Sequence, residues 1–202
     1  MKTIFLFGHR REHGKDTCVS ILKSLLDDRK ISYHHTYFAK LLKQHACLKY
    51  GLDIKLVNDA DYKKSKPKHL NGLTVRDVLI KEGCNAREIY QNTWSLPVYK
   101  ELLESDAQIG IISDFRFTSE FDSFNECCSL NFPNYEFYDD IKLIKVLVHR
   151  KDGIFLADGA DDQLPDLSDY WDHIILNNGS KDNWYKHLCN QVNNMVELEL
   201  KG

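Results

Sequence analysis

The sequence predicts a three-layer α/β/α domain, in which helices cover both faces of a parallel sheet of about five strands. Three observations lead to this prediction. Short apolar runs alternate with longer helical patterns, as in βαβ units. The apolar runs are nearly continuous, which is typical of strands that are buried on both faces. A glycine-framed loop joins the first run to the first helical pattern.

The individual elements follow from these patterns. Runs rich in Ile, Val, Leu, Phe and Tyr predict strands at residues 3–7, 33–38, 109–113, 141–148 and 173–176. Helical patterns lie between them, at residues 15–29, 39–50, 75–90, 96–103, 119–127 and 181–198. Residues 51–106 carry no strand pattern and exceed a simple crossover, so we expect a helical insertion that covers the substrate. The acidic, irregular residues 150–169 are a candidate lid.

Composition narrows the class of protein. A length of 202 residues fits a single domain, residues 1–202. The formal net charge of −3 gives no general attraction to nucleic acid or to a membrane surface, so a nucleic-acid partner is not expected. No apolar run reaches the roughly 18 residues that predict a membrane span. The six cysteines lack a CxxC pair and a metal-ligand spacing, and no signal-peptide pattern opens the sequence. We therefore expect reduced thiols in a cytoplasmic protein. Whether two copies form a homodimer stays open.

The loop after the first strand carries the strongest functional signal. Gly8 and Gly14 frame it, and Lys15 follows directly at the start of a helical pattern. The order strand, glycine loop, lysine and helix is the context of a Walker A phosphate-binding loop. In such a loop, backbone N–H groups and the helix N-terminus point at phosphates, and the lysine contacts the β- and γ-phosphates. We predict that the phosphates of ATP are bound by Gly8, Arg11, Gly14, Lys15, Asp16 and Thr17.

Two features of this loop are unusual. Five residues separate the glycines where four are usual, and Asp16 rather than Ser or Thr follows the lysine. Either Asp16, directly or through water, or the hydroxyl of Thr17 is a candidate ligand for Mg²⁺. His9 and His13 lie inside the loop, where they either make nucleotide binding pH-dependent or are merely tolerated. The alternative for the whole loop is a glycine turn that binds nothing.

A second cluster follows the strand at residues 109–113. Since ligands of open α/β sheets bind beyond the carboxyl ends of strands, we expect Asp114 to point into the same crevice as Lys15. There it would orient magnesium-bound water or contact the acceptor. Arg116 would bind a phosphate with its planar guanidinium. The alternative for Asp114 is a helix cap.

The middle of the chain supplies further candidates for binding the acceptor. Arg76 and Arg87 are eleven residues apart and so share one helix face, from which both can bind a phosphate. Lys43 adds a third cation to this set. Trp94 and Tyr90 are candidates for stacking on a base, although a tryptophan in such a place is more often part of a core.

Arg150 follows the strand at residues 141–148 directly. A cation at the root of a lid is suited to stabilise the charge that develops on a phosphoryl group in transfer. An ordinary surface arginine is the alternative.

Several motifs together resemble two families of kinases. Gly14-Lys15-Asp16-Thr17, the T-x-R-x-x-L-x-x-x-G pattern from Thr74 to Gly83 with the later Trp94, the D-x-R-x-x-x-E pattern from Asp114 to Glu120, and Asn177-Asn178-Gly179-Ser180 resemble motifs of bacteriophage deoxynucleoside monophosphate kinases. The animal-type phosphomevalonate kinases are also similar. They share the G-K-D loop, a segment like that from Ala39 to Lys43, a G-x-x-x-R like that from Gly83 to Arg87, and a G-x-D-D like that from Gly159 to Asp162.

The resemblance implies a P-loop kinase of the nucleoside monophosphate kinase type, with ATP and Mg²⁺ as phosphoryl donor and cofactor. It implies that Arg76, Arg87 and Arg116 bind the phosphate of the acceptor, a small-molecule nucleotide. Two further functions stay open. One is a kinase of another acceptor, either phosphomevalonate or a hydroxymethylated base in DNA. The other is a degenerate P-loop protein that binds nucleotide and regulates a partner.

Overall fold

A computed structural model describes residues 2–9, 13–131, 141–150, 169–178 and 183–200, and it confirms the predicted α/β fold class. The strands are β1 Lys2–His9, β2 Tyr33–Thr36, β3 Ile109–Phe115, β4 Ile141–His149 and β5 His173–Leu176. The helices are α1 Lys15–Asp28, α2 Ala39–Tyr50, α3 Ala60–Lys64, α4 Val75–Ile89, α5 Leu96–Glu104, α6 Thr118–Asn131 and α7 Trp184–Leu200. A 3-10 helix spans Lys68–Leu70.

The described strands form one sheet in the order β2-β3-β1-β4-β5, and all four neighbouring pairs are parallel. Alternate residues of β1 enter two cores because successive side chains of a strand point to opposite faces. Phe5 and Phe7 pack in the core that contains residues of α1 and α7, whereas Ile4 and Leu6 pack in the core that contains residues of α5 and α6. The domain therefore has the predicted three layers.

The sheet order places a crevice beside β1. The chain after β1 continues into α1 on one face, whereas the chain after the neighbouring β3 continues into α6 on the other. Adjacent parallel strands whose following helices lie on opposite faces leave a crevice at their carboxyl ends, where open α/β proteins bind ligands. The start of α1 and the end of β3 meet at this crevice.

Residues 51–106 are helical, as predicted, and carry no strand. A third hydrophobic cluster has all its residues between residues 46 and 79, from α2, α4 and the segment that joins them. The last helix of the segment, α5, instead packs in the core under the sheet through Val98, Tyr99 and Leu102. Only the part before α5 thus has a core of its own.

Two further expectations concern the class of protein. Within the described ranges, no helix combines the length and the apolar character needed to cross a bilayer. None of the six cysteines forms a disulfide.

Candidate active site

The turn into α1 has the form that a phosphate loop needs. Gly14 precedes the helix with φ at +91° and ψ at 18°, in the left-handed region that favours glycine. The first helical hydrogen bond runs from Cys18 N to Gly14 O (3.1 Å), and no side chain of Gly14 can cap the helix. The N–H groups of the first turn precede that bond, and a helix N-terminus of this kind attracts anions.

Lys15 and Asp16 begin α1 and form an ion pair with each other. The side chain of Lys15 is only 10% exposed, whereas that of Asp16 is 91% exposed. The lysine is thus held at the floor of the crevice by a carboxylate that lies in solvent. A phosphate group that reaches Lys15 would take the place of this exposed carboxylate. Thr17 lies in the same turn and is partly buried, and Arg11 lies outside the described residues.

Gly8 differs from its predicted role as a loop glycine. It lies inside β1, where pairing with β3 shifts register between Leu6 and Gly8. A Cβ on Gly8 would lie 2.3 Å from the Cη2 atom of Trp171, which is buried and packs edge-on against Phe115. The missing side chain therefore makes room for a tryptophan, and the role of Gly8 in binding phosphate stays a prediction.

Asp114 acts as a helix cap, which was the alternative reading of the sequence. Its carboxylate accepts hydrogen bonds from the N–H groups of Phe38 (2.6 Å) and Ala39 (2.9 Å) at the start of α2. The capped helix is therefore α2, which follows the neighbouring strand β2, and not α6, which follows β3 itself. Phe38 has no side chain able to cap α2, so the acceptor comes from β3.

Glu120 organises the segment between β3 and α6. Its Oε2 atom accepts hydrogen bonds from the N–H groups of Arg116 (2.8 Å) and Phe117 (3.0 Å). Its Oε1 atom lies 3.7 Å from Nη2 of Arg87, whose guanidinium lies 4.2 Å from the ring centroid of Phe117. Burial and nearby Asp114 raise the pKa of Glu120 to about 8, against the effect of both N–H groups and Arg87. One buried carboxyl group thus contacts the side chain of Arg87 and the main chain of Arg116.

Lys43 lies in the same region of positive charge. Burial, together with the nearby cations Lys63, Arg116 and Lys15, lowers the pKa of its ammonium group to about 8, against the opposite effect of Asp114. Its Nζ atom donates to Oδ1 of Asn58 (2.8 Å) and lies 4.6 Å from the ring centroid of Tyr37. The influence of Lys15 and Arg116 on Lys43 indicates that cations from α1, α2 and the β3–α6 segment face one region.

The remaining middle-segment candidates differ in their surroundings. Arg76 lies in the first turn of α4, between Thr74 and Asp77, which form a capping box. Trp94 is buried, and its Nε1 donates to the carbonyl of Gly83 (3.2 Å), so it belongs to the core and not to a stacking surface. The hydroxyl of Tyr90 instead donates to the carboxylate of Glu126 on α6.

His13 connects the phosphate loop to the residues that directly follow β4 and β5. Its ring is buried, and Nδ1 accepts a hydrogen bond from the N–H of Arg150 (3.1 Å) directly after β4. Its carbonyl accepts a bond from Nδ2 of Asn177 (3.0 Å) directly after β5. His13 is therefore more than a tolerated loop residue. Arg150 itself is exposed, and the rest of the candidate lid up to residue 168 lies outside the described residues.

A second pair near Lys15 also escaped the sequence analysis. Nε2 of His35 on β2 lies 2.9 Å from Oγ of Ser113 on β3. The pKa of His35 is lowered by burial and by the positive charges of Lys23 and Lys15. The only signal in the sequence is a histidine near the end of a strand, which does not identify the neighbouring strand's serine.

The donor set fits a magnesium ion carried by a nucleotide. Among the described residues, no group of three or more His, Cys, Asp or Glu side chains is placed to hold a metal ion. Mg²⁺ in phosphotransferases is typically held by one or two carboxylates together with substrate phosphates. Asp16 offers one exposed carboxylate beside the helix N-terminus, so the protein can supply one carboxylate ligand to such an ion.

Comparisons with known proteins give weak likenesses. No protein-family model matches the chain, and no curated protein matches it. A fungal RNA kinase of known structure aligns over 100% of this chain and 86% of its own, at 17% identity and a TM-score of 0.44. The protein TT1252 from Thermus thermophilus aligns over 100% of this chain and 99% of its own, at 13% identity and a TM-score of 0.44. Likenesses at this level carry no argument about what this chain binds.

Proposed function

We propose that this protein is a P-loop phosphotransferase that moves the γ-phosphoryl group of ATP to a deoxynucleoside monophosphate. Lys15 carries the proposal. It is a buried cation at an uncapped helix N-terminus, directly behind a left-handed glycine, where β1 meets the crevice. A lysine and several N–H groups that converge on one point favour a ligand with several phosphate oxygens.

The cations around Lys43 support a second phosphate group in the site. Lys63, Arg116 and Lys15 all lower the pKa of Lys43, against the opposite effect of Asp114, so four cations lie near one another. Grouping cations is unfavourable, and an added anion offsets their repulsion. The T-x-R and D-x-R patterns identify that anion with the phosphate of a nucleotide, because they resemble those of nucleoside monophosphate kinases.

In the proposed reaction, an oxygen of the acceptor's phosphate attacks the γ-phosphorus and ADP leaves, so that a monophosphate becomes a diphosphate. Mg²⁺, when bound, neutralises charge on the β- and γ-phosphates. Lys15 exchanges Asp16 for a phosphate oxygen, and the carboxylate of Asp16, once released, would be free to hold a bound Mg²⁺. Arg116, Arg87, Arg76 and Lys43 orient the acceptor, and Arg150 stabilises the charge of the transferring group.

Phosphoryl transfer is tested by incubating the protein with ATP, Mg²⁺ and each common deoxynucleoside monophosphate, and by measuring the ADP and diphosphate formed. We expect at least one acceptor to be phosphorylated. Lys15→Ala should lower the rate by about 100-fold or more, as does removal of one preorganised donor in other enzymes. Lys23→Ala is the matched control, since Lys23 lies on the same helix and contacts the ring of Tyr33 (5.8 Å). It should retain activity.

Two outcomes would replace the proposal. Transfer only to phosphomevalonate, or only to DNA that contains hydroxymethylated bases, would keep the phosphotransferase and change its acceptor. Binding of ATP without transfer to any of these acceptors, with Lys15→Ala abolishing the binding, would identify a nucleotide-binding regulator instead.

A further inference from the structure

We propose that His13 and Asn177 are positioning residues that hold the phosphate loop against the carboxyl ends of β4 and β5, and thereby set the loop and Arg150 in place together. This inference rests on the proposed function, because it concerns how two parts of that site are aligned. Neither residue needs to contact a substrate for this role.

Asn177 is fixed on one side and supports the loop on the other. Its main-chain N–H donates to the carbonyl of His149 (2.7 Å), which secures it to the end of β4. Its side-chain Nδ2 donates to the carbonyl of His13 (3.0 Å). The same Nδ2 atom would lie 2.4 Å from a Cβ on Gly14. The side-chain amide therefore lies directly against the left-handed turn that starts α1.

His13 makes the corresponding connection to Arg150. Its ring is 2% exposed and packs edge-on against the ring of His149, with centroids 5.6 Å apart. Because the N–H of Arg150 is the donor, Nδ1 of His13 must carry a lone pair. The imidazole thus acts as an acceptor that holds the first residue after β4.

These contacts join the ends of two strands, β4 and β5, to the turn that starts α1. A shift of His13 would move its carbonyl away from Asn177 and its ring away from Arg150 at the same time. The orientation of the N–H groups at the start of α1 depends on the Gly14 turn, which Asn177 supports.

The role of Asn177 is tested with two variants and a matched control. Asn177→Ala removes the donor, and Asn177→Asp keeps the shape but replaces the donor by a carboxylate oxygen. We expect both to raise the KM for ATP by about tenfold or more, which corresponds to one hydrogen bond with good geometry. The control is Gln191→Ala. Gln191 makes two hydrogen bonds to the main chain of Leu176 (both 2.9 Å), next to Asn177, and none to His13 or Gly14, the described residues before α1. It should lower the unfolding midpoint and leave the KM for ATP unchanged.

The link from His13 to Arg150 is tested by a double-mutant cycle on kcat. His13→Ala and Arg150→Ala should each lower kcat, and the double variant should lose much less than the product of the two factors, because misplacing Arg150 costs nothing once its side chain is gone. His13→Asn, whose Oδ1 lies close to the position of Nδ1, should restore most of the loss of His13→Ala. If His13→Ala does not fold, His13→Leu takes its place in the cycle, because it fills the buried space without offering an acceptor to Arg150.

The two proposals can fail separately. If the wild-type protein transfers no phosphoryl group, the proposed function fails, and the positioning role is then read from the affinity for a fluorescent ATP analogue in the same variants. If the Asn177 and His13 variants bind ATP as the Gln191→Ala control does, or if the kcat factors of the cycle multiply, the positioning role is overturned whether or not the protein is a kinase.

Discussion

The ammonium group of Lys43, near the candidate site, has a pKa only slightly above neutral pH. Its pKa of about 8 follows from burial and from nearby Lys63, Arg116 and Lys15. At neutral pH most molecules carry the charge, and a phosphate dianion would stabilise it. As pH rises through about 8, the free protein loses this cation, and acceptor binding that depends on it should weaken.

We therefore expect kcat/KM for the acceptor to fall by about tenfold per pH unit once pH exceeds about 8, since this parameter reports groups of the free enzyme. Lys43→Arg should retain its activity at higher pH, because a guanidinium stays charged throughout this range. The measurement is kcat/KM against pH for both proteins. Lys100→Arg is the control, because Lys100 pairs with Glu104 on an exposed face of α5 (3.8 Å). Identical profiles for the wild type and Lys43→Arg would show that Lys43 does not bind the acceptor.

The pKa of Glu120 leads to a prediction about stability and not about catalysis. Its pKa is raised from 4.5 to about 8 in the folded protein, so folding favours the protonated carboxyl group. The stabilisation from this group is complete below its unfolded value of 4.5 and is lost as pH rises through about 8. The free energy of unfolding should fall by up to about 1.4 kcal/mol per pH unit between these limits from this group.

Glu120→Gln should remove that slope, because its amide oxygen can still accept from Arg116 and Phe117 and does not titrate. Urea unfolding of the wild type and the variant between about pH 5 and 8 measures the difference in slope. Asp122→Asn changes an exposed carboxylate on the same helix and should keep the wild-type slope. A slope that is the same in Glu120→Gln and the wild type would contradict a raised pKa.

At the scale of elements, α2 depends on a cap from another strand. Asp114→Ala removes the acceptor for the N–H groups of Phe38 and Ala39 and should lower the free energy of unfolding by about 1–2 kcal/mol. It should also reduce kcat/KM for the acceptor, because Lys43 lies in the second turn of α2. Asp114→Asn keeps an oxygen acceptor and should cost much less in both measurements.

This pair of variants separates the two roles that the sequence left open for Asp114. A cap tolerates asparagine, whereas a group that orients magnesium-bound water needs the charge. If Asp114→Asn loses as much activity as Asp114→Ala at full stability, the magnesium role is correct. Asp59→Ala removes the side-chain cap of the exposed helix α3 and serves as the control for losing a cap elsewhere.

Sequence patterns anticipated these elements well, but not their long-range partners. Buried parallel strands and amphipathic helices are visible in local composition, so β5 and α2 have the predicted bounds and the others differ by a few residues. Helix α3 was missed because five residues are too few to show a period. The cap of Ala39 comes from Asp114, 75 residues away, and Gly8 is explained by Trp171. Such partners depend on the order of strands in the sheet, which no local pattern contains.

The candidate site likewise contains residues that local motifs indicate and contacts that depend on the order of the strands. Lys15 and Arg116 are candidates because each belongs to a short motif after a strand, and their roles stay predictions. The contacts of His13 with Arg150 and Asn177 could not be found, because they require β4 to lie beside β1 and β5 to lie beside β4. Trp94 was a candidate for stacking because aromatic residues serve both cores and ligands, and only its burial decides between them.

At the scale of the whole molecule, the described residues form two cores against the sheet and a third cluster that lies entirely between residues 46 and 79. The third cluster contains no strand residue, so it can open without disturbing the sheet. We expect its amides to exchange hydrogen faster than those of β1 and β3, because small clusters open at lower free energy than the global core.

Ligands should then slow exchange in different places. Mg·ATP at about 100 times its Kd should slow the amides at the start of α1, and a deoxynucleoside monophosphate at the same excess should slow those of α2 and α4, by up to about 100-fold where exchange needs opening of the bound site. Hydrogen-exchange mass spectrometry with each ligand alone measures both effects. The nucleoside without its phosphate is the control and should give little protection, since the proposed contacts of Lys43, Arg76 and Arg87 are to phosphate. Protection by the acceptor confined to β5 and α7 would place its site away from residues 51–106 and would contradict their proposed role as the substrate-binding insertion.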